Sequence, residues 1–244
     1  MQKTSYEDLV IDCVMPVWIT QEDTLDLTKN AIHSLGKVRL IIVDNASTLG
    51  GGYLRSVADV YIRNQTNLGF AKAINQGLKV SNSKLKACVN NDTRISPNWQ
   101  DVARDTLITE SVYSCHFRMT DYDTPFAYGD KTYYHGKERW CTTSFFVINA
   151  EKALFYFDEN YLNSYDDWDY WYTVRKAGLQ TAYTNKACYQ HQHSHTQKLI
   201  PEREANDKKN KEYFKDKWGD CAENLFERDF PEQMKQDYWG GFAL

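Results

Sequence analysis

The sequence has no run of about 18 apolar residues, the length a helix needs to cross a bilayer, so no membrane span is expected. It has no surplus of positive charge: 29 Lys and Arg stand against 33 Asp and Glu, and the net charge is −4. That balance excludes a protein that coats nucleic acid, which needs a basic face, although a local basic groove stays open. No two of the six cysteines (Cys13, Cys88, Cys115, Cys141, Cys188 and Cys221) form C-x-x-C. Cys13 and Cys88 lie in apolar runs, where a thiol acts as a small hydrophobe, and this favours a reducing, cytoplasmic setting over a disulfide scaffold. Proline is scarce, with 5 residues, and there is no internal repeat or low-complexity segment, so the chain is neither a linker nor a repeat array. The opening residues MQKTSYEDLV lack the charged-then-apolar pattern of a signal peptide.

What is present is a globular composition. With 42% hydrophobic and 25% charged residues over 244 positions, the chain can bury a substantial core in one large domain, with or without a tail. Aromatics reach 14%, among them 17 Tyr and 7 Trp. These pair a large apolar face with a polar tip, so they suit both a core and a ligand-binding wall.

Residues 9–17 (LVIDCVMPV) are short, apolar and β-branched, which predicts a buried strand. Residues 20–35 predict a helix, with Thr20 or Asp23 as cap and Leu25, Ala31, Ile32 and Leu35 as its apolar stripe. Residues 38–43 predict a second strand, which ends in Asp44-Asn45-Ala46-Ser47 and a loop with three glycines, Gly50 to Gly52. A strand at 57–63, a helix at 67–80 and a strand at 86–89 follow. Residues 110–134 are polar and aromatic with weak periodicity, as in a loop or irregular sheet near an acceptor site. A strand is predicted at 140–149 and a helix at 166–177, closed by Gly178. Residues 202–218 carry six Lys or Arg against five Asp or Glu, a solvated helix with Tyr213, Phe214 and Trp218 on offer for packing. This alternation predicts a single Rossmann-like α/β domain over 1–200, its sheet mostly parallel with helices on both faces, then a helical tail over 201–244. Ligands of such sheets lie beyond the carboxyl ends of the strands. Asp44-Asn45 and Asn90-Asn91-Asp92 both fall at such ends.

Four constellations have chemical content. VNNDTRIS (residues 89–96) fits either an Asn/Asp turn or a hard-cation site, since Mg²⁺ commonly takes one or two carboxylates plus substrate phosphates. In NLGFAKAINQG (residues 67–77), Gly69 permits a close backbone approach, Lys72 can meet a phosphate, and Asn75 lies on the same helical face; an amphipathic helix with an Asn cap explains the same residues. Asp166, Asp167 and Asp169 crowd three carboxylates into four residues. A helix N-terminus tolerates one or two of these, and the third points to a base or a cation-neutralised site. His191, His193 and His195 alternate on an extended segment and can share a face, either as a metal site or as one ligand among exposed companions.

In this order, these stretches resemble a family-2 glycosyltransferase with the GT-A fold, over roughly residues 8–196. VDNAS (residues 43–47) is similar to the family's second strand end, NLGFAKAINQG to its N-x-G-F-A-x-A-x-N-x-G segment, and VNNDT to its D-x-D or N-x-D motif. FDENYLNSYDDWDYWYTVRKAG (residues 157–178) is similar to its acidic pair, helix and glycine. The resemblance implies a nucleotide-sugar-binding half over 1–100 and an acceptor and catalytic half over 101–200. It implies that Pro16, Val17, Asp44, Asn45, Asn67, Gly69, Lys72, Asn75, Asn90 and Asn91 form the donor site, with Asp44 and Asn45 on base and ribose. Asp92 would bind a divalent cation, Mn²⁺ or Mg²⁺. His191, 24 residues past Asp167, would be the other ligand, with His193 as the alternative. Asp167 matches the catalytic base, beside Asp166. Asn90 stands where many relatives have an Asp, which removes one negative charge from the site. Trp168 and Tyr170 to Tyr172 could wall a sugar pocket or pack in the core.

The implied reaction is inverting transfer from a nucleoside-diphosphate sugar, UDP first, to an acceptor hydroxyl on a glycan, lipid-linked glycan, protein or modified nucleic-acid base. Two other readings compete. One is a degenerate glycosyltransferase-like binding module, which Asn90 keeps open. The other is a sugar nucleotidyltransferase, weakened because residues 16–20 after the first strand hold no glycine. Lys208, Lys209, Lys211, Lys215 and Lys217 could touch a phosphate backbone or membrane surface, or form a solvated helix, and the tail could support an oligomer.

Overall fold

The computed structural model describes residues 10–122, 124–135, 143–162, 164–192 and 202–219. They form a nine-stranded sheet. Its strands are β1 (Ile11–Val17), β2 (Arg39–Asp44), β3 (Val60–Arg63), β4 (Leu85–Val89), β5 (Thr93–Ile95), β6 (Ser114–Asp121), β7 (Thr132–His135), β8 (Phe145–Asn149) and β9 (Thr181–His191). The order is β3-β2-β1-β4-β8-β6-β9-β5, with β7 also paired to β9. β1 to β4 are mutually parallel through β1, and β6 and β9 run with them; β5, β7 and β8 run the opposite way. Helices α1 (Glu22–Ser34), α2 (Gly51–Val57), α3 (Phe70–Val80), α4 (Trp99–Arg104), α5 (Asp166–Lys176) and α6 (Arg203–Trp218) complete the fold.

All seven β1 residues are buried. The period of two divides them: Cys13, Met15 and Val17 join a core with Leu25 of α1, Leu35 just past its end, Leu54 of α2 and Trp99 of α4, while Val14 joins a second core with Ile74 of α3, Tyr170 of α5 and Phe214 of α6. β1 is thus covered on both faces, which explains its unbroken apolar run. Pro16 is tolerated in this central strand. The pairing with β4 ends at Val14/Cys88, and alternation turns the Pro16 nitrogen toward that finished side.

Several boundaries differ from the sequence reading. The first helix begins after Gln21, and neither Thr20 nor Asp23 caps it; the Asp23 carboxylate accepts the adjacent Thr24 N–H at 2.7 Å. The glycine loop at 50–52 starts helix α2, entered through Gly50 at φ 75°, because Leu54 gains a fully buried place. Residues 110–134 contain two strands, and most of β6 is buried inside the sheet. β9 is a long strand with polar and aromatic positions, and its register against β6 shifts between Phe117 and Arg118. The half before this shift pairs with β7 and the half after it with β5. α6 packs Phe214, fully buried, onto the chain itself. Among the described residues, Cys13, Cys88, Cys115 and Cys188 are buried free thiols.

Candidate active site

The carboxyl ends of β1 and β2 are joined by a tight turn. Asn45 N–H donates to Val17 O at 2.8 Å, Thr48 N–H to Ile19 O at 2.8 Å, and Ile19 N–H to Ser47 Oγ at 2.9 Å. Ala46 turns the chain at φ 65°. The Asp44 carboxylate is fully buried and engaged on both oxygens: it accepts Ser47 N–H at 2.8 Å and is bound by Tyr61 Oη and the Arg63 guanidinium. Arg63 also donates to Ser47 O at 3.0 Å. Asn45 donates to Gly69 O at 3.1 Å and accepts Asn64 at 2.8 Å, while Asn64 and Gln76 exchange two amide bonds. Both side chains expected on base and ribose therefore shape this turn from inside. Arg63, Asn64 and Gln76 were not anticipated; polar residues at a strand end and a helix face have no signal that separates this role from plain exposure.

The glycine turn before α3 is held by Asn67, whose Oδ1 accepts Gly69 N–H at 3.0 Å. Gly69 adopts φ 83°, which favours glycine. Lys72 is half-buried one turn on. Asn75, three residues further on, is turned into the chain. It is buried, donates to Phe157 O at 2.8 Å and Glu159 Oε1 at 3.0 Å, and accepts Phe157 N–H at 2.9 Å. Its donors and acceptor are used to clamp residues 157–159 onto α3. Asn91 is likewise turned inward, toward Thr28 Oγ1 of α1 at 2.8 Å.

At the end of β4 the picture differs. Asp92 is buried, and its Oδ1 lies 3.1 Å from His191 Nε2. The backbone enforces this, because Thr93 of β5 pairs with His191 of β9 and Gln192 N–H donates to Asp92 O at 3.0 Å. His191 Nδ1 lies 3.3 Å from Ser144 Oγ, and Ser144 O accepts Asn90 N–H at 2.8 Å. Ser144 is thus a further member of the site, orienting the imidazole from its far side. Asn90 Oδ1 is a buried acceptor with no hydrogen-bond partner among the described residues. A carboxylate, an imidazole nitrogen and an orphaned carbonyl oxygen suit a borderline-hard divalent cation completed by phosphate and water oxygens. No cluster of three or more His, Cys, Asp or Glu that could hold a metal occurs among the described residues. His193 lies outside the described residues.

The third element is the N-terminus of α5, entered through Tyr165 at φ 62° without a side-chain cap. Asp166 is buried and Asp167 half-buried. Asp166 accepts Asp167 N–H at 3.1 Å, and Asp167 accepts Trp168 N–H at 2.9 Å. Burial pushes both carboxyls above the ordinary carboxylate range, and for Asp166 the neighbouring Asp167 and Asp169 charges add to it. Such a pair can hold and release a proton near neutrality. Tyr170, Trp171 and Tyr172 are buried; Tyr170 stacks on Phe157 with centroids 4.2 Å apart, so these rings belong to the core.

The family model for glycosyl transferase family 2 matches residues 12–158, more than half of the chain. The chain belongs to glycosyl transferase family 2. Its fold is the GT-A fold, as the solved structures confirm. The TarS 1–349 structure from S. aureus aligns with a TM-score of 0.59 at 13% identity, over 95% of this chain and 78% of that one. GalNAc-T7 with UDP, GalNAc and Mn²⁺ aligns at 0.60 and 13%, over 75% and 44%. The mannosyltransferase PcManGT from Pyrobaculum calidifontis, with GDP-Man and Mn²⁺, aligns at 0.54 and 14%, over 74% and 56%. This family-2 chain thus spans about half the length of the last two. No curated protein sequence matches it. None of its described helices is long and apolar enough to cross a membrane.

Proposed function

We propose that this glycosyltransferase is metal-dependent and inverting, moving a sugar from a nucleoside-diphosphate sugar, UDP first, to an acceptor hydroxyl. The observation that carries this reading is the Asp92–His191 contact of 3.1 Å at the end of β4, two residues after Asn90, whose buried Oδ1 has no partner among the described residues. Residues so far apart in sequence meet there at the sheet edge where such ligands bind. TarS 1–349 has been solved with UDP-GlcNAc, and two other similar structures hold Mn²⁺ with UDP or GDP-Man, which supports the same class of donor here.

Asp92, His191 and Asn90 would hold the cation. When bound, it offsets the negative charge that develops on the departing diphosphate. Lys72 lends its ammonium to the diphosphate from α3. The base and ribose meet the turns that Asp44, Asn45 and Asn67 hold in shape, beside Pro16 and Val17. Asp167, with its raised proton affinity, accepts the proton of the acceptor hydroxyl as that oxygen attacks the anomeric carbon, and the diphosphate leaves from the opposite side. Asp166 keeps the pair's proton affinity high.

Asp167→Asn tests the assignment. Loss of a positioned base lowers the rate by ~10²–10⁴-fold while nucleotide affinity persists. Near-normal transfer by this variant removes Asp167 from the mechanism. The second reading, a degenerate binding module, rests on Asn90 in place of an acidic ligand. It predicts nucleotide binding with neither transfer nor hydrolysis of any nucleotide sugar.

A further inference from the structure

The charged C-terminal helix is hydrogen-bonded to the acidic segment that opens α5. Asn210 is buried and makes four bonds there: it accepts Leu162 N–H at 3.3 Å and donates to Leu162 O at 3.2 Å, Ser164 O at 3.1 Å and Ser164 Oγ at 2.8 Å. Two turns on, Lys217 Nζ bridges two carboxylates, Asp158 at 2.7 Å and Asp169 at 2.8 Å. Trp218 Nε1 donates to Asp169 Oδ1 at 2.7 Å, and Tyr161 Oη donates to the same oxygen at 3.3 Å. The segment before Asp166 and the residue one turn into α5 are thus both fixed by α6. Among the described residues, Asp169 is the one of the three crowded carboxylates that is paired with a cation.

We propose that α6 is a working part of the acidic site. Lys217 is a positioning residue that neutralises Asp169, and with Asn210 it holds residues 162–169 so that the uncompensated charge at the α5 N-terminus belongs to the Asp166–Asp167 pair. The assignment of that pair as base rests on the function proposed above; the electrostatic role of Lys217 does not. Among the described residues, the ionisable groups facing this cluster include Asp158 and Tyr161 from the preceding segment, Asp166, Asp167 and Asp169 from α5, and Tyr213 and Lys217 from α6. A neutral residue at 217 leaves Asp169 hydrogen-bonded to Trp218 and Tyr161 but without a cation, so its negative charge acts more fully on the pair, which takes up protons more readily.

The test is a carboxyl ¹³C NMR titration of the full chain labelled at aspartate, with Asp166→Asn and Asp167→Asn assigning the pair. In Lys217→Met the pair's midpoints move to higher pH, Asp166 the more, because Asp169 loses the cation beside it. Lys217→Arg keeps the wild-type midpoints. Asp158→Asn breaks the other half of the bridge but leaves Lys217 on Asp169, so it does not raise them. Should Lys217→Met not fold, Lys217→Gln serves for the same titration. Unchanged midpoints in a folded neutral variant, or equal rises in Asp158→Asn and Lys217→Met, overturn the proposal and reduce α6 to packing. If wild-type protein transfers no sugar from any nucleotide sugar while the midpoints still move, the proposed function fails and Lys217's role stands. If sugar is transferred and the midpoints stay put, the proposed function stands and Lys217's role fails.

Discussion

Gly77→Ala is a sharp test of how α3 meets the sheet. An alanine Cβ at this position lies 2.1 Å from Val14 Cγ1 and 3.3 Å from Val14 Cβ and Cγ2. Carbon atoms pack at ~3.5–4.0 Å, so the helix and strand are too close by ~1.5 Å. Val14 is fully buried, and β1 is hydrogen-bonded to β2 on one side and β4 on the other, so it cannot retreat. Overpacking of this kind costs ~1–3 kcal/mol. Helix propensity works the other way, since alanine is favoured over glycine by ~1 kcal/mol inside a helix. A contact of 2.1 Å puts the clash at the upper end of that range, and a net loss of ~2 kcal/mol follows. The displacement also reaches the site, because α3 holds Asn75 on Phe157 and begins at the Gly69 turn that Asn45 grips. Urea unfolding gives the midpoint and slope. Val14→Ala in the same background removes both clashing methyl groups, so the double variant loses less than the sum of the singles, by ~1 kcal/mol or more. A Gly77→Ala protein as stable as wild type, or more so, refutes the close packing described here.

Other outcomes follow from the same contacts. Asn75→Ala strands the buried Phe157 N–H and C=O and costs ~1–3 kcal/mol, measured by the same unfolding experiment. Asp166 and Asp167 bind protons more tightly folded than unfolded, so they favour the folded state at low pH, and this contribution is lost as pH rises from the ordinary carboxylate range toward neutrality. Unfolding free energy measured across that window declines with pH from this pair, and Asp166→Asn makes the decline shallower. In sugar transfer, Asp167→Asn loses ~10²–10⁴-fold in rate with nucleotide affinity retained.

Most of the first hundred residues were legible because their elements obey single rules. Runs such as VRLIIV can only be buried strands, and the amphipathic period of α3 marks its helix. Asp44-Asn45 and Asn90-Asn91-Asp92 lie at the ends of β2 and β4, as the sequence pattern predicts. α2 was illegible because its glycines signal a loop, while burial of Leu54 decides for helix. β9 was missed because a strand shared by several neighbours alternates Thr, Tyr, Asn and Gln in place of an apolar run. Within the site, sequence identified the stretches better than the duties. Asn75, Asn91 and Asp44 have the right chemistry to touch a ligand, yet each is used to fasten backbone or a neighbouring side chain. No local pattern distinguishes an asparagine that faces a ligand from one that faces a carbonyl, because the partner can lie far along the chain, 82 residues away for Asn75 and Phe157. The α6 attachment was hidden for the same reason: Lys217 sits among five other basic residues in 202–218, and only the fold singles it out.

The central claim is that Asp92 and His191 form the cation-dependent half of a nucleotide-sugar site. A thermal-shift panel of nucleoside diphosphates and nucleotide sugars, each with and without Mn²⁺ or Mg²⁺, tests it most directly. A ligand of the folded state at ~100 times its dissociation constant adds about 2.7 kcal/mol, well within detection. The expected result is stabilisation by one nucleotide, uridine first, only with the cation present, and its loss in Asp92→Ala. Stabilisation that ignores the cation, or that survives Asp92→Ala, contradicts the claim, as does folded protein that responds to none of the nucleotides.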